Sequence, residues 1–273
     1  MTINCLGKLV DLSTPSVMGI LNLTPDSFYD GGSYQDLDKA LVHTAKMLDE
    51  GATFIDVGAY SSRPGAQNIS EEEEEKRLIP IVIELVKAFP DILISVDTFR
   101  ASVAKKAIES GAALINDISA GQLDPNMMEI VGNLGAPYIM MHMRGTPQTM
   151  KSFTSYDDIT KDVIHYFSER VALSRKHKIN DLILDPGFGF AKDTSQNFEL
   201  LKNLSLLKSF ELPILTGLSR KSMIYKTLGV SPKEALNGTT ALHMVALQNG
   251  TKILRAHDVK EAVECVNLFN VLK

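Results

Sequence analysis

Asp97, Asn116 and Asp185 each stand at the end of a short apolar run. Two carboxylates and an amide in one pocket make a surface rich in acceptors, with one group that both donates and accepts. Such a set suits a flat, nitrogen-rich heterocycle carrying several N–H donors. A carboxylate can take two parallel hydrogen bonds from an amidine-like edge. Two other readings stay open. Asp97 and Asn116 can each cap the helix that follows, or the acids can hold a metal, although no histidine is interleaved with them. Capping is harder to argue for Asp185, because Pro186-Gly187 follows it and no helix starts there.

Two later stretches carry positive charge. Gly217-Leu-Ser-Arg-Lys-Ser222 and Arg255-Ala-His257 each follow another apolar run. Arg255 offers a fork of donors suited to phosphate oxygens, and His257 can add one more. Lys221 can reach either a phosphate or the heterocycle. Ser222 can open a helix whose first amides attract a carboxylate. Asn22, at the end of the first long run, offers a neutral oxygen to Mg2+, an ion that keeps waters and shares its shell with substrate phosphates. His43, His142, His165, His177 and His243 show no metal-binding spacing. His142 reads as a structural hydrogen-bonding residue, and Met141 as a side chain able to touch a flat ring.

The elements that position these residues recur. Apolar runs at 16–21, 53–58, 92–97, 113–116, 137–142, 181–185, 213–216 and 252–255 predict strands. Most are followed by helical spacing, at about 37–50, 99–110, 125–134, 156–177, 195–208, 232–249 and 258–271, with a further helix capped by Ser70. Strand, polar terminus and helix, repeated eight times, predict an α/β fold: a single-domain (β/α)8 TIM barrel with its active site at the C-terminal ends of the strands. Residues 1–14 precede it and suggest a small hairpin closing the barrel bottom; 15–273 make the barrel. The loops 23–36 and 59–70 exceed the usual length between strand and helix. In the first helix Leu37, Leu41, Ala45 and Leu48 share a face, and Gly51 stops it. The glutamate run 71–75 reads as a solvated helix start. Helix 232–249 shows no polar face, which suggests burial against both the barrel and a second copy of the chain, hence a homodimer.

Bulk properties agree. The chain has 273 residues, and such barrels need about 250. Hydrophobic residues make up 44% and charged ones 22%, ordinary for a globular protein. A net charge of -5 argues against a nucleic-acid surface, and any anion site must be made locally. No apolar run approaches the roughly 18 residues of a membrane span, and no secretory pattern opens the chain. Cys5 and Cys265 read as reduced packing residues, with a cytoplasmic location as the default.

The motifs together resemble the dihydropteroate synthase family. They are Met18-Gly-Ile-Leu-Asn-Leu-Thr-Pro-Asp-Ser-Phe28, Ser61-Ser-Arg-Pro-Gly65, Ser95-Val-Asp-Thr98, Ile115-Asn-Asp-Ile118, Met141-His-Met143, Leu184-Asp-Pro-Gly-Phe-Gly-Phe190, Gly217-Leu-Ser-Arg-Lys-Ser222 and Arg255-Ala-His-Asp258, spread over about 15–258. The resemblance implies a pterin-binding barrel that condenses p-aminobenzoate with 6-hydroxymethyl-7,8-dihydropterin diphosphate, and a sulfonamide target. It implies that Asp97, Asn116, Asp185 and Lys221 hold the pterin, with Met141 against its ring. Ser62, Arg255, His257 and Asn22 with Mg2+ would hold the diphosphate. Phe28, Arg63, Pro64, Phe190 and Ser222 would shape the aminobenzoate site, and Arg63, Lys221, Arg255 and His257 would carry catalysis. The family usually has threonine where this chain has Ser62; the hydroxyl is kept. Two rivals share part of the pattern. Pterin-binding domains of methyltetrahydrofolate methyltransferases have the acid–amide pocket but should lack the Ser-Arg-Pro loop and Arg-x-His. A non-catalytic homologue should show decay of the two long loops, against which Phe28, Arg63 and Pro64 argue.

Overall fold

The structure, a computed structural model, describes residues 1–23, 34–60 and 69–272. In chain order its elements are β1 (Thr2–Cys5), β2 (Lys8–Asp11), β3 (Ser16–Asn22), α1 (Tyr34–Asp49), β4 (Phe54–Gly58), α2 (Glu71–Ala88), β5 (Ile94–Asp97), α3 (Ala101–Glu109), β6 (Leu114–Asp117), α4 (Met127–Leu134), β7 (Tyr138–Met141), α5 (Ile159–Lys176), β8 (Leu182–Asp185), α6 (Thr194–Lys202), β9 (Leu215–Thr216), α7 (Ser222–Leu228), α8 (Leu236–Gln248), β10 (Ile253–Ala256) and α9 (Val259–Val271). Short 3-10 turns lie at Met150–Ser152, Leu204–Phe210 and Pro232–Glu234.

The expected (β/α)8 barrel is present. Eight parallel strands run in the order β8-β7-β6-β5-β4-β3-β10-β9. A bridge between Leu184 and Ile214 joins the two ends, with Leu184 N donating to Pro213 O at 2.9 Å. Strands β4, β6, β7 and β8 are buried at every residue. Helices cover the outer face and packed side chains fill the inner one. These strands therefore read as continuous apolar runs rather than alternating ones.

The strands sort their side chains into two apolar layers. Outward-facing residues such as Val17, Ile55, Val96, Ile115 and Leu184 pack against the helices. Met18, Phe54, Leu114, Ile139, Ile183, Leu215 and Ile253, mostly near the strand starts, fill the barrel's lower interior together with Ile3, Cys5 and Leu12. The antiparallel pair β1–β2 thus inserts its apolar side into the barrel bottom. Asn4 N ties it there by donating to Asp181 Oδ2 at 3.1 Å. At the opposite end Ile118, Met141, Met143, Met150 and Ala191 form a smaller cluster flanked by Phe99, Leu123 and Phe190.

Several elements differ from the sequence reading. The buried line of α1 is Ala40, Thr44 and Met47; Leu37, Leu41, Ala45 and Leu48 flank it, half-buried. The helix expected over 195–208 ends at Lys202, and a 3-10 turn continues from Leu204. The helix expected over 232–249 is α8, which a 3-10 turn at Pro232–Glu234 precedes. Asn237, Ala241 and Gln248 form a narrow exposed strip on α8 with apolar Ala241 between two amides, while Leu242, Met244 and Val245 are half-buried. The acid run is also not wholly solvated. Ser70 caps α2 as expected, accepting from Glu73 N at 3.2 Å, but Glu74 is buried. It accepts from Thr98 Oγ1 at 2.7 Å and pairs with Arg100. An arginine arriving from the neighbouring strand end makes that burial tolerable.

One buried residue makes acid stability testable. His243 on α8 is buried, and neither ring nitrogen has a hydrogen-bond partner among the described residues. Burial lowers its pKa from 6.5 to about 4, with Asp258 opposing. The folded chain therefore keeps the ring neutral while the unfolded chain takes up a proton below pH 6.5. This contribution is fully present above that pH and is lost progressively down to about pH 4. It amounts to roughly 3 kcal/mol at most. Urea midpoints of His243→Leu should fall less between pH 7 and pH 5 than those of the unsubstituted protein. Equal acid limbs would contradict the assignment.

Candidate active site

The C-terminal ends of the strands bring together acids, amides and cations from positions 56 to 255. Asp56, in the middle of β4, is the hub. It is buried and accepts from Ser95 Oγ at 2.6 Å, Asn116 Nδ2 at 3.1 Å and Arg255 Nε at 2.6 Å. A second Arg255 nitrogen reaches Asp97 Oδ2 at 3.2 Å. Asp97 and Asn116 are register partners on β5 and β6. Neither therefore acts as a cap: Asp97 engages Arg255, and α3 begins after Arg100 without a side-chain cap. Gly58 makes room, since a Cβ there would stand 3.2 Å from the Asp97 Cβ. Burial pushes Asp97 up to about 7, and the Asp56 carboxylate adds to the shift while Arg255 opposes it. Arg255 has five N–H donors and spends only part of them on the two acids, so its fork can also face a bound anion.

On the other side of the barrel mouth, Asp185 ends β8 in register with Met141 on β7. Its Oδ1 accepts from Gly187 N at 2.8 Å. Gly187 has φ +70°, and a Cβ there would lie 2.1 Å from His142 O, so only glycine fits. Burial raises the Asp185 pKa, opposed first by Lys221. Lys221 Nζ donates to Phe188 O and sits 4.9 Å from the Phe190 ring centroid. Burial lowers Lys221 to about 8, while Asp185 and Asp97 favour its charged form and Arg255 disfavours it. Asp97, Asn116, Asp185, Lys221, Arg255 and Met141 thus share one mouth: an acceptor-rich floor, two cations, and an apolar wall of Met141 and Phe190.

At the rim, Ser219 Oγ lies 3.1 Å from His257 Nδ1 and accepts from His257 N at 3.2 Å, which orients an exposed imidazole beside Arg255 in sequence. Arg220 points elsewhere, into a two-bond pair with Asp258 at 2.8 Å each. Ser222 opens α7, half-buried. Asn22 ends β3, half-buried, in register with Gly58 on β4. Among the described residues no group of three His, Cys, Asp or Glu side chains can hold a metal.

Phe28, Ser62, Arg63 and Pro64 lie outside the described residues. Residues on either side of 61–68 are held by Arg100. Its guanidinium lies 5.6 Å from the Tyr60 ring centroid and donates to Ile69 O at 2.6 Å. Asp56 ends the apolar run Phe54-Ile55, one strand before Asp97, and this polar terminus stands out in the sequence, but no binding or catalytic role is assigned to it there. Lys192 was also missed, and nothing in its sequence surroundings marks it.

Comparison with known proteins places this geometry. A family model described as pterin binding enzyme matches residues 18–257. The dihydropteroate synthase of Escherichia coli strain K12 is 45% identical over 264 residues, covering 96% of this chain and 93% of that protein. A crystal structure of the Yersinia pestis dihydropteroate synthase with a sulfonamide drug superposes with a TM-score of 0.93 at 44% identity, over 100% of this chain and 99% of that one. The Xanthomonas albilineans dihydropteroate synthase with 4-aminobenzoic acid gives a TM-score of 0.92 at 37% identity, over 99% and 97%.

Proposed function

The chain belongs to the pterin binding enzymes, as a member of the dihydropteroate synthases, and from that premise we propose how its residues divide the reaction. The enzyme condenses p-aminobenzoate with 6-hydroxymethyl-7,8-dihydropterin diphosphate, giving 7,8-dihydropteroate and diphosphate in folate biosynthesis. Asp97, Asn116 and Asp185 accept from the pterin N–H groups, Lys221 donates to its acceptor atoms, and Met141 lies against the ring. The observation that carries this division is that two carboxylates and two cations share one mouth: Asp97 is ion-paired with Arg255, and buried Asp185 lies within the field of Lys221. A nitrogen-rich ring can complete both sets of hydrogen bonds.

The bond that breaks is the C–O bond between the pterin methylene and the diphosphate, and its electron pair leaves with the diphosphate. Arg255 and His257, with Ser62, stabilise the growing charge. The pterin ring delocalises the positive charge left on the methylene. The neutral arylamine nitrogen then forms the C–N bond and loses its proton to water or to the departing diphosphate. No base is needed to activate an amine that is already neutral. Phe28, Arg63, Pro64, Phe190 and Ser222 form the aminobenzoate site, where sulfonamides would compete. Arg63 and Lys221 complete the catalytic set.

Asn22 would hold Mg2+ through its amide oxygen, and the ion would supply positive charge to the leaving phosphate oxygens. Diphosphate release assayed with both substrates should fall at least about tenfold in excess EDTA and return on adding MgCl2. Full turnover in EDTA would remove the metal from the account.

We also propose a homodimer in the cytoplasm. The helix α8, with half-buried Leu242, Met244 and Val245, packs against α9, whose end carries the exposed Leu268 and Leu272. Covering such side chains is favourable. The free buried thiols of Cys5 and Cys265 suit a reducing compartment. Light scattering should give twice the 30.0 kDa chain mass at micromolar concentration. A single-chain mass would contradict the dimer.

A further inference from the structure

The loop after β8 carries Phe188 O and Phe190, the two partners of Lys221. It has an unusual backbone: Gly187, Gly189 and Ala191 all have positive φ, at +70°, +82° and +48°. A chain with so many left-handed residues needs external ties to keep one conformation. Four residues supply them. Asp185 takes Gly187 N, and Asn197 Oδ1 takes Gly189 N at 2.7 Å. Tyr156 OH donates to Ala191 O at 2.8 Å. The fourth is Lys192.

Lys192 is buried and forms no ion pair with a carboxylate among the described residues. Its Nζ lies 3.0 Å from Gly187 O, 3.0 Å from Phe190 O and 2.9 Å from His142 Nδ1. An ammonium has three protons, which match these three nearest acceptors, and a fourth, His142 O, stands farther off at 3.4 Å. With Lys192 charged, His142 Nδ1 accepts, and the imidazole proton belongs on Nε2. His142 is suited to this neutral state. Burial first, then the charges of Lys192 and Arg144, hold it well below its ordinary range. Burial also draws Lys192 down, as Lys221 and Arg144 do, while Asp185 supports its charge. Tyr166 packs edge-on against the His142 ring, centroids 4.8 Å apart, and keeps that ring in place. His142 itself follows Met141, so the network is rooted in β7 and grips the loop of β8.

We propose that Lys192 and His142 are positioning residues that clamp the loop 186–191, setting where Phe190 and the Phe188 carbonyl stand and thereby the aminobenzoate side of the site. The clamp rests on the reading of Phe190 as an aminobenzoate contact for its catalytic consequence. Its structural half is independent of that reading. Neither residue touches substrate. Both act through the loop, and Lys221 is steered by the same two loop groups.

Lys192→Met removes the three donors while keeping most of the side-chain volume. Hydrogen–deuterium exchange of the 186–192 segment should become about tenfold faster, with exchange in β5 and β6 unchanged. The KM for p-aminobenzoate should rise about tenfold or more, and the affinity for a pterin should stay within about threefold, because a displaced wall weakens only the partner it faces. His142→Gln, whose amide oxygen can still accept from Lys192, should restore most of what His142→Leu loses. Unchanged exchange in Lys192→Met overturns the clamp. So does an equal loss of pterin and p-aminobenzoate binding, which would mean general damage. If Lys192→Met cannot be purified folded, the His142→Leu and His142→Gln pair carries the same exchange and KM comparison. Failure of the unsubstituted protein to bind p-aminobenzoate would count against the reading of Phe190, while the exchange data would still judge the clamp.

Discussion

Arg255→Met should lower kcat/KM about 10³-fold, roughly 4 kcal/mol of transition-state stabilisation. Two effects combine. The fork that faces the leaving diphosphate is lost, and so is the cation between Asp56 and Asp97, which it bonds at 2.6 Å and 3.2 Å. Asp97, already pushed up to about 7 by burial and by Asp56, then rises further. That shift favours the carboxylic acid over the carboxylate that faces the pterin. Removing one partner of a buried ion pair also costs stability, about 3–5 kcal/mol. Urea unfolding must therefore confirm that the variant is folded at the assay temperature. Arg255→Lys keeps the charge but not the fork, so it should fall between the two. Steady-state kinetics decides the matter. An Arg255→Met enzyme within tenfold of the unsubstituted one would remove Arg255 from the centre of the site.

Asp185→Asn should weaken pterin binding about 100-fold, near 2.7 kcal/mol, since a carboxylate taking two N–H donors becomes an amide that presents only one oxygen. A second consequence is a pH shift. Asp185 supports the charge of Lys221, which burial has already lowered to about 8. Without that anion the Lys221 pKa falls further, so the ammonium is lost at lower pH. The alkaline limb of the activity profile should move toward neutrality, whereas loss of a group unlinked to Lys221 would leave it in place. Calorimetry with a pterin, together with kcat against pH, reads both effects. Unchanged pterin affinity would contradict the assignment of Asp185.

Much of the barrel was legible because strand and helix leave different spacings, and because buried parallel strands end in residues that physics would not otherwise put there. Asp97, Asn116 and Asp185 stood out for that reason. Arg255 was legible as an anion-binding fork, but its bonds to Asp56 and Asp97 were not. Those contacts join positions 199 and 158 residues apart, and only the closure of the barrel creates them. Asp56 also ends an apolar run, but its role as a hub was not legible, because its partners Ser95, Asn116 and Arg255 come from three other strands. Glu74 shows the same limit: a run of glutamates reads as solvated until Arg100 arrives beside one of them. The break in the helix expected over 195–208, and the exposed strip on α8, are local outcomes of packing that periodicity averages away. Lys192 could not be found from sequence at all, since its partners are mainly backbone carbonyls, which every residue has.

The measurement that bears most directly on the account is diphosphate release by the purified protein, given 6-hydroxymethyl-7,8-dihydropterin diphosphate and Mg2+, with and without p-aminobenzoate. The account predicts release that depends on p-aminobenzoate and matches 7,8-dihydropteroate formed, one for one. Folded protein that releases no diphosphate with both substrates present, or that releases it at the same rate without p-aminobenzoate and forms no dihydropteroate, would contradict it.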